Sequence, residues 1–140
     1  MAGVAKLIET ALARTVVMGY HAQVAHWNVM GPNFPSYHEF FGKLYEQLAD
    51  EVDLLAESLR TLREFPADRL VDLVAAAGGE RTSAPGDIFK RLADDNEDLL
   101  AVLLNAYTAA SGLPALANTL QDLLTAHEKT AWMLRASMSK

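Results

Sequence analysis

The stretch HAQVAHWNVMGPNFPSYHEFFGKLYEQLADEVDLLAE, residues 21–57, gathers three histidines and six carboxylates in one segment. Imidazole together with Asp and Glu suits iron, zinc or manganese. Asp53 and Glu57 stand four residues apart and therefore share one face of a helix. His38 precedes Asp53 by fifteen residues. At ~100° per residue that leaves roughly 60° of rotation, so His38 points to nearly the same side. At ~1.5 Å per residue, however, the two groups lie about 22 Å apart along the axis, and no coordination sphere spans that distance. One helix thus presents two half-sites at opposite ends of one face. A two-fold neighbour running antiparallel would set the histidine half of one chain against the carboxylate half of the other, making two equivalent sites per dimer. Taken singly, a histidine on a helix or an Asp/Glu pair four apart is ordinarily a packed or solvated side chain, so the shared site rests on their combination. His21 and His127 have no carboxylate at matching spacing and read as core histidines. The absence of any Glu-x-x-His motif argues against a two-iron centre inside one bundle.

Four long helices must position these groups. The first runs from about Val4 to Met30, with Leu7, Ile8, Leu12, Val16, Val17 and Val24 at helical spacing. Gly31-Pro32 stops it. The second restarts near Ser36, where SYHE reads as a capping box closed by Glu39. It carries Phe40, Phe41, Leu44, Tyr45, Leu48, Val52, Leu55, Leu59 and Leu62 until Pro66 intervenes. A short amphipathic piece, ADRLVDLVAAA, ends at Gly78-Gly79. The loop GGERTSAPGD leads to a third long helix from about Asp87 to Ala110, with Gly112 as its cap. Pro114 opens the fourth, which runs to about Ser137. The order long-long-short-long-long predicts an all-α fold: one domain over residues 1–140, a four-helix bundle with a short extra helix in the crossover between the second and third.

Composition bounds the function. At 140 residues, 51% hydrophobic, with 8 Gly and 5 Pro, the chain holds one real core and is neither disordered nor fibrous. No apolar run is long and uncharged enough to span a membrane, and the start reads as a helix, not a signal peptide. Zero cysteines excludes disulfides, thiolate zinc sites and cysteine nucleophiles, and fits a cytoplasmic protein that handles oxidants. Eighteen acids against 12 bases, net −6, argues against a phosphate-binding surface and favours attraction of cations.

HWNVMGPNFPSYHEFFGKLYEQLADEVDLLAE resembles the signature of the Dps mini-ferritins: His-Trp-x-x-x-Gly-x-x-Phe-x-x-x-His, a carboxylate four on, then Val-Asp-x-x-Ala-Glu. Near the C-terminus, HEKTAWMLRA is similar to the family's Glu-Lys-x-x-Trp-Met-Leu-Arg-Ala. The likeness covers nearly the whole chain. It implies a ferritin-like bundle assembled into a hollow dodecamer that oxidises Fe(II), usually with hydrogen peroxide and otherwise with oxygen, and stores ferric mineral. It implies ferroxidase centres at two-fold interfaces, with His26 and His38 from one subunit and Asp53 and Glu57 from its partner. Glu57 would bridge two irons or anchor the tighter one, and Trp27 matches a tryptophan that can donate electrons beside the site. Zinc would be a substitute occupant.

The chain departs from this pattern at Gly42, where the family places Asp or Glu. A helix-interior Gly costs about 1 kcal/mol against Ala, and nothing local in the sequence recommends it. Water, Glu39 or Glu46 remain to fill the second iron position, which predicts one firm metal position and a weak second, and Gly42→Asp is expected to raise activity. The competing reading is a catalytically weak shell acting as a metal buffer or scaffold. Among the family's pore acids only Glu128 is matched; Ala115 and Asn118 replace others, with Asp122 one turn on, so the pore is less acidic than typical. Twelve copies at −6 each carry −72, and the helix begins close to Met1 with Lys6 alone in the first ten residues, while the chain ends SMSK. Direct DNA binding is therefore not expected.

Overall fold

In the computed structural model, residues 2–84 and 86–139 are described. Met1 and Lys140, at the two termini read above for DNA-binding tails, and Pro85, in the 78–87 loop, lie outside the described residues. Helix α1 spans Ala2–Asn28, α2 Phe34–Thr61, the short α3 Leu70–Ala76, α4 Ile88–Ala109 and α5 Pro114–Met138. No strand occurs among the described residues. The fold is the expected four-helix bundle with a small helix in its long crossover.

Local chemistry explains the breaks. Gly31 takes φ 110°, which an L side chain adopts only with strain, and Pro32 follows it. Helix α2 starts earlier than the SYHE reading implied. Its cap is Asn33 without a side-chain bond, and Pro35 lies in its first turn. The Ser36–Glu39 capping box does not form, because those residues are already inside the helix. The end of α2 is a Schellman turn: the Arg63 N–H donates to the Arg60 carbonyl and the Glu64 N–H to that of Leu59. Arg63 itself is at φ 67°. Gly112 is not among the residues at positive φ; Ala110 caps α4, its N–H bonded to the Ala106 and Tyr107 carbonyls.

Helix α1 lies at the centre, packed on α2, α3 and α4, while α4 also packs on α5. Small residues at Ala11, Ala13, Ala22 and Ala25, all buried, let its neighbours approach closely. Around them Ile8, Met18, Phe41, Leu48, Leu55, Leu92, Leu99, Leu103, Leu120 and Leu134 fill the core. Truncating one such leucine to Ala costs about 2–5 kcal/mol.

The middle of this core is polar. His21 from α1 sets Nδ1 at 2.5 Å from Asp95 of α4 and Nε2 at 2.9 Å from Glu80 in the crossover. Arg81 adds a bond from Nε to Asp95 at 3.2 Å and also pairs with Asp98, to which Arg14 reaches at 3.3 Å. On α5, His127 sets Nε2 at 2.6 Å from Glu51 of α2 and Nδ1 at 2.7 Å from Asn96 Oδ1 of α4. Asn96 Nδ2 donates to the His127 carbonyl at 2.9 Å, which turns Oδ1 toward the ring and makes Nδ1 a donor. One proton then bridges His127 Nε2 and Glu51. Both histidines are satisfied core residues, as read from the sequence, and carboxylates are among the groups that satisfy them. Their partners come from other helices, 74 and 76 residues away, where no spacing rule reaches.

Candidate metal centre

His26 falls in the last turn of α1 and His38 in the opening turns of α2, so the break at Gly31-Pro32 folds them together. Their rings stack with centroids 3.7 Å apart and planes 14° from parallel. His26 Nδ1 lies 2.6 Å from the His38 carbonyl, and His38 Nδ1 lies 2.6 Å from the His26 carbonyl. A carbonyl oxygen only accepts, so each Nδ1 donates its N–H. In the neutral ring each Nε2 is then left with its lone pair, the form that ligates a metal. The His26 carbonyl belongs to the end of α1, where intrahelical donors run out, and the His38 ring supplies one. Each histidine therefore orients the other.

Two more aromatic rings brace the pair. Phe34 stacks on His38 at 5.0 Å and Tyr45 presents its edge to His26 at 5.5 Å. Gly42 sits directly beneath His26: a Cβ at that position would meet the His26 ring at 3.1 Å (Cε1) and 3.2 Å (Nδ1). Nothing within α2 recommends glycine there, as the sequence suggested; the group that does is on α1. Glu39, one possible stand-in for a carboxylate at 42, pairs with Lys43 at 3.2 Å on the outer face, and Glu46 is exposed.

Asp53 and Glu57 lie on α2, exposed, with no hydrogen bond or ion pair to any described residue. Within one chain they do not join the histidines, and no group of three or more His, Asp or Glu among the described residues is placed to hold a metal. Trp27, 58% exposed, packs edge-on against Tyr20 at 6.4 Å. Asp122 and Glu128 are exposed on α5. Between the two ends of α2, an apolar groove of about 610 Å³ opens among α1, α2 and α3, lined by Tyr20, Tyr45, Leu48, Val52, Leu70 and Val74. Leu54 and Val71 are exposed as well. Together these side chains make a continuous exposed apolar face. No helix among the described residues is long and apolar enough to cross a membrane.

Residues 5–140 match the ferritin-like domain family. A DNA protection during starvation protein of Brevibacillus brevis is 31% identical over 95% of this chain and 93% of its own length. A low temperature-induced protein of Nostoc, itself uncharacterized, is 32% identical over 96% of this chain and 79% of its own. Among solved structures, the Dps protein of Vibrio cholerae, described as one of the ferritin-like diiron-carboxylate proteins, superposes with a TM-score of 0.91 at 26% identity. That superposition covers 99% of this chain and 90% of the other. The fold and these matches define a ferritin-like protein. Within that family, the chain belongs to the Dps branch, the mini-ferritins.

Proposed function

We propose that this chain is a mini-ferritin that oxidises Fe(II) at a site shared between two copies and stores the ferric product within a homo-oligomeric shell, a dodecamer. The observation that carries the reading is the division of ligands. One end of the α1–α2 hairpin offers two preoriented Nε2 donors, and the other offers two exposed carboxylates without partners among the described residues. The donor set, two imidazoles and two carboxylates, fits iron and also fits zinc as a substitute occupant. The apolar face between the two ends supplies the contact that would hold a second copy in antiparallel register, and the Vibrio cholerae relative belongs to a diiron-carboxylate superfamily.

In this reading iron is the substrate. Each Fe(II) gives one electron to hydrogen peroxide, two irons and two protons converting one peroxide to two waters. His26 and His38 of one subunit and Asp53 and Glu57 of the partner subunit hold the ion, and the partly buried site limits water around it. Trp27, next to His26 in the chain, is a one-electron donor within the same interface: with one iron bound it would give peroxide its second electron and be reduced again by the next Fe(II). Asp122 and Glu128 line the route by which iron enters.

The second reading is a metal buffer that binds without turnover, favoured by the missing carboxylate at Gly42. Peroxide-driven Fe(II) oxidation, followed by ferric absorbance, separates the two. Rapid oxidation in the wild type that collapses in Glu57→Ala supports the ferroxidase. Rates equal to protein-free buffer in both would leave the buffer.

A further inference from the structure

We infer that Gly42 is a positioning residue for His26, not a vacated ligand position, and that it commits each shared site to a single divalent ion. This rests on the shared-site reading above and adds to it.

The His26 ring lies over the Gly42 Cα so closely that even an alanine Cβ would come within 3.1 Å of Cε1 and 3.2 Å of Nδ1. Those are two of the atoms that set the ring's orientation. Nδ1 makes the 2.6 Å bond to the His38 carbonyl, and the ring stacks on that of His38 with centroids 3.7 Å apart. A side chain at 42 therefore displaces a ring that this bond and this stack already hold in place. The reciprocal bond, and with it the direction of Nε2, gives way. Any side chain at 42 therefore crowds the locked histidine pair, and glycine keeps the room that the His26 ring occupies in this chain.

Charge then limits the occupancy. The shared site holds the carboxylates of Asp53 and Glu57 and two neutral imidazoles, a total of −2, which one divalent ion balances. A second would leave +2 uncompensated by these ligands, and neither of the carboxylates flanking position 42 on α2 is turned to the histidines of its own chain. Glu39 is committed to Lys43 and Glu46 faces solvent. An unbalanced partly buried charge is the arrangement proteins avoid.

Anaerobic titration with Co²⁺, read by calorimetry and by its visible d–d bands, tests this on the assembled protein. Wild type takes one Co²⁺ per subunit. Gly42→Ala binds about tenfold more weakly or worse, the loss typical of disturbing a group that orients a ligand, while its melting temperature is unchanged or raised, since Ala is the better helix former. Gly42→Asp gains no second ion. Two Co²⁺ per subunit in the wild type, full affinity in Gly42→Ala, or a second ion in Gly42→Asp would each overturn the inference. Glu57→Ala separates the two levels. If it loses Co²⁺ while Gly42→Ala binds normally, only the role of Gly42 fails. If Glu57→Ala binds normally, the shared site fails with it.

Discussion

His26 and His38 each have one ring nitrogen tied to a backbone carbonyl and the other without a partner among the described residues, whereas His21 and His127 have both nitrogens engaged by side chains. The first pair is half-buried at the junction of two helices beside an exposed apolar face. The second lies in the centre of the bundle, 2% and 1% exposed. The residue type is the same and the chemistry is opposite. A histidine saturated on both sides is a strut between helices. A histidine saturated on one side is an oriented ligand, and its supporting carbonyl is part of the site. What decides between them is whether a side chain from elsewhere in the fold engages the second ring nitrogen or leaves its lone pair free.

That contrast is sharpest in stability. His127→Ala leaves Glu51, almost wholly buried, without its 2.6 Å partner. Only Gln47 then remains, donating to Oε1 at 3.1 Å. A loss of about 3–5 kcal/mol is expected in denaturant unfolding, with metal binding affected only through folding. His21→Ala should cost less, about 1–3 kcal/mol, the penalty of leaving one buried acceptor under-satisfied. Arg81 still holds Asp95, and Glu80 is at the surface. If His127→Ala unfolds no more easily than wild type, the strut description is wrong. His38→Ala inverts the pattern: about 1 kcal/mol of stability for one hydrogen bond, yet loss of most of the Co²⁺ affinity. Equal losses in stability for His38→Ala and His127→Ala would erase the distinction between the two classes.

These differences mark where the sequence was readable. Gly31-Pro32, Pro114 and the apolar periods located the helices, and the spacing of His38, Asp53 and Glu57 already put the histidine and the two carboxylates at opposite ends of α2. Each of those readings depends on residues close together in one helix or turn. The partners of His21 and His127 were hidden because they arrive from other helices, through the long crossover for Glu80 and across the bundle for Glu51. What recommends Gly42 was hidden for the same reason. Its neighbour is sixteen residues earlier and on α1, so within its own helix it looked like a cost without a benefit. The start of α2 was missed by two residues because Pro35 and Ser36 both carry N-terminal signals, and the proline, with its fixed φ and no N–H to satisfy, set the first turn.

The central claim is that each metal site is built from two chains, and mixing two inactive variants tests it most directly. His26→Ala lacks the histidine half and Glu57→Ala the carboxylate half, so neither alone forms a complete site. Unfolded together in equal amounts and refolded, half of the dimers are mixed, and each mixed dimer regains one intact site of its two. The account predicts recovery to about one quarter of the wild-type peroxide-driven Fe(II) oxidation, with Co²⁺ binding rising in step. A mixture no more active and no better at binding than its two parents would contradict it.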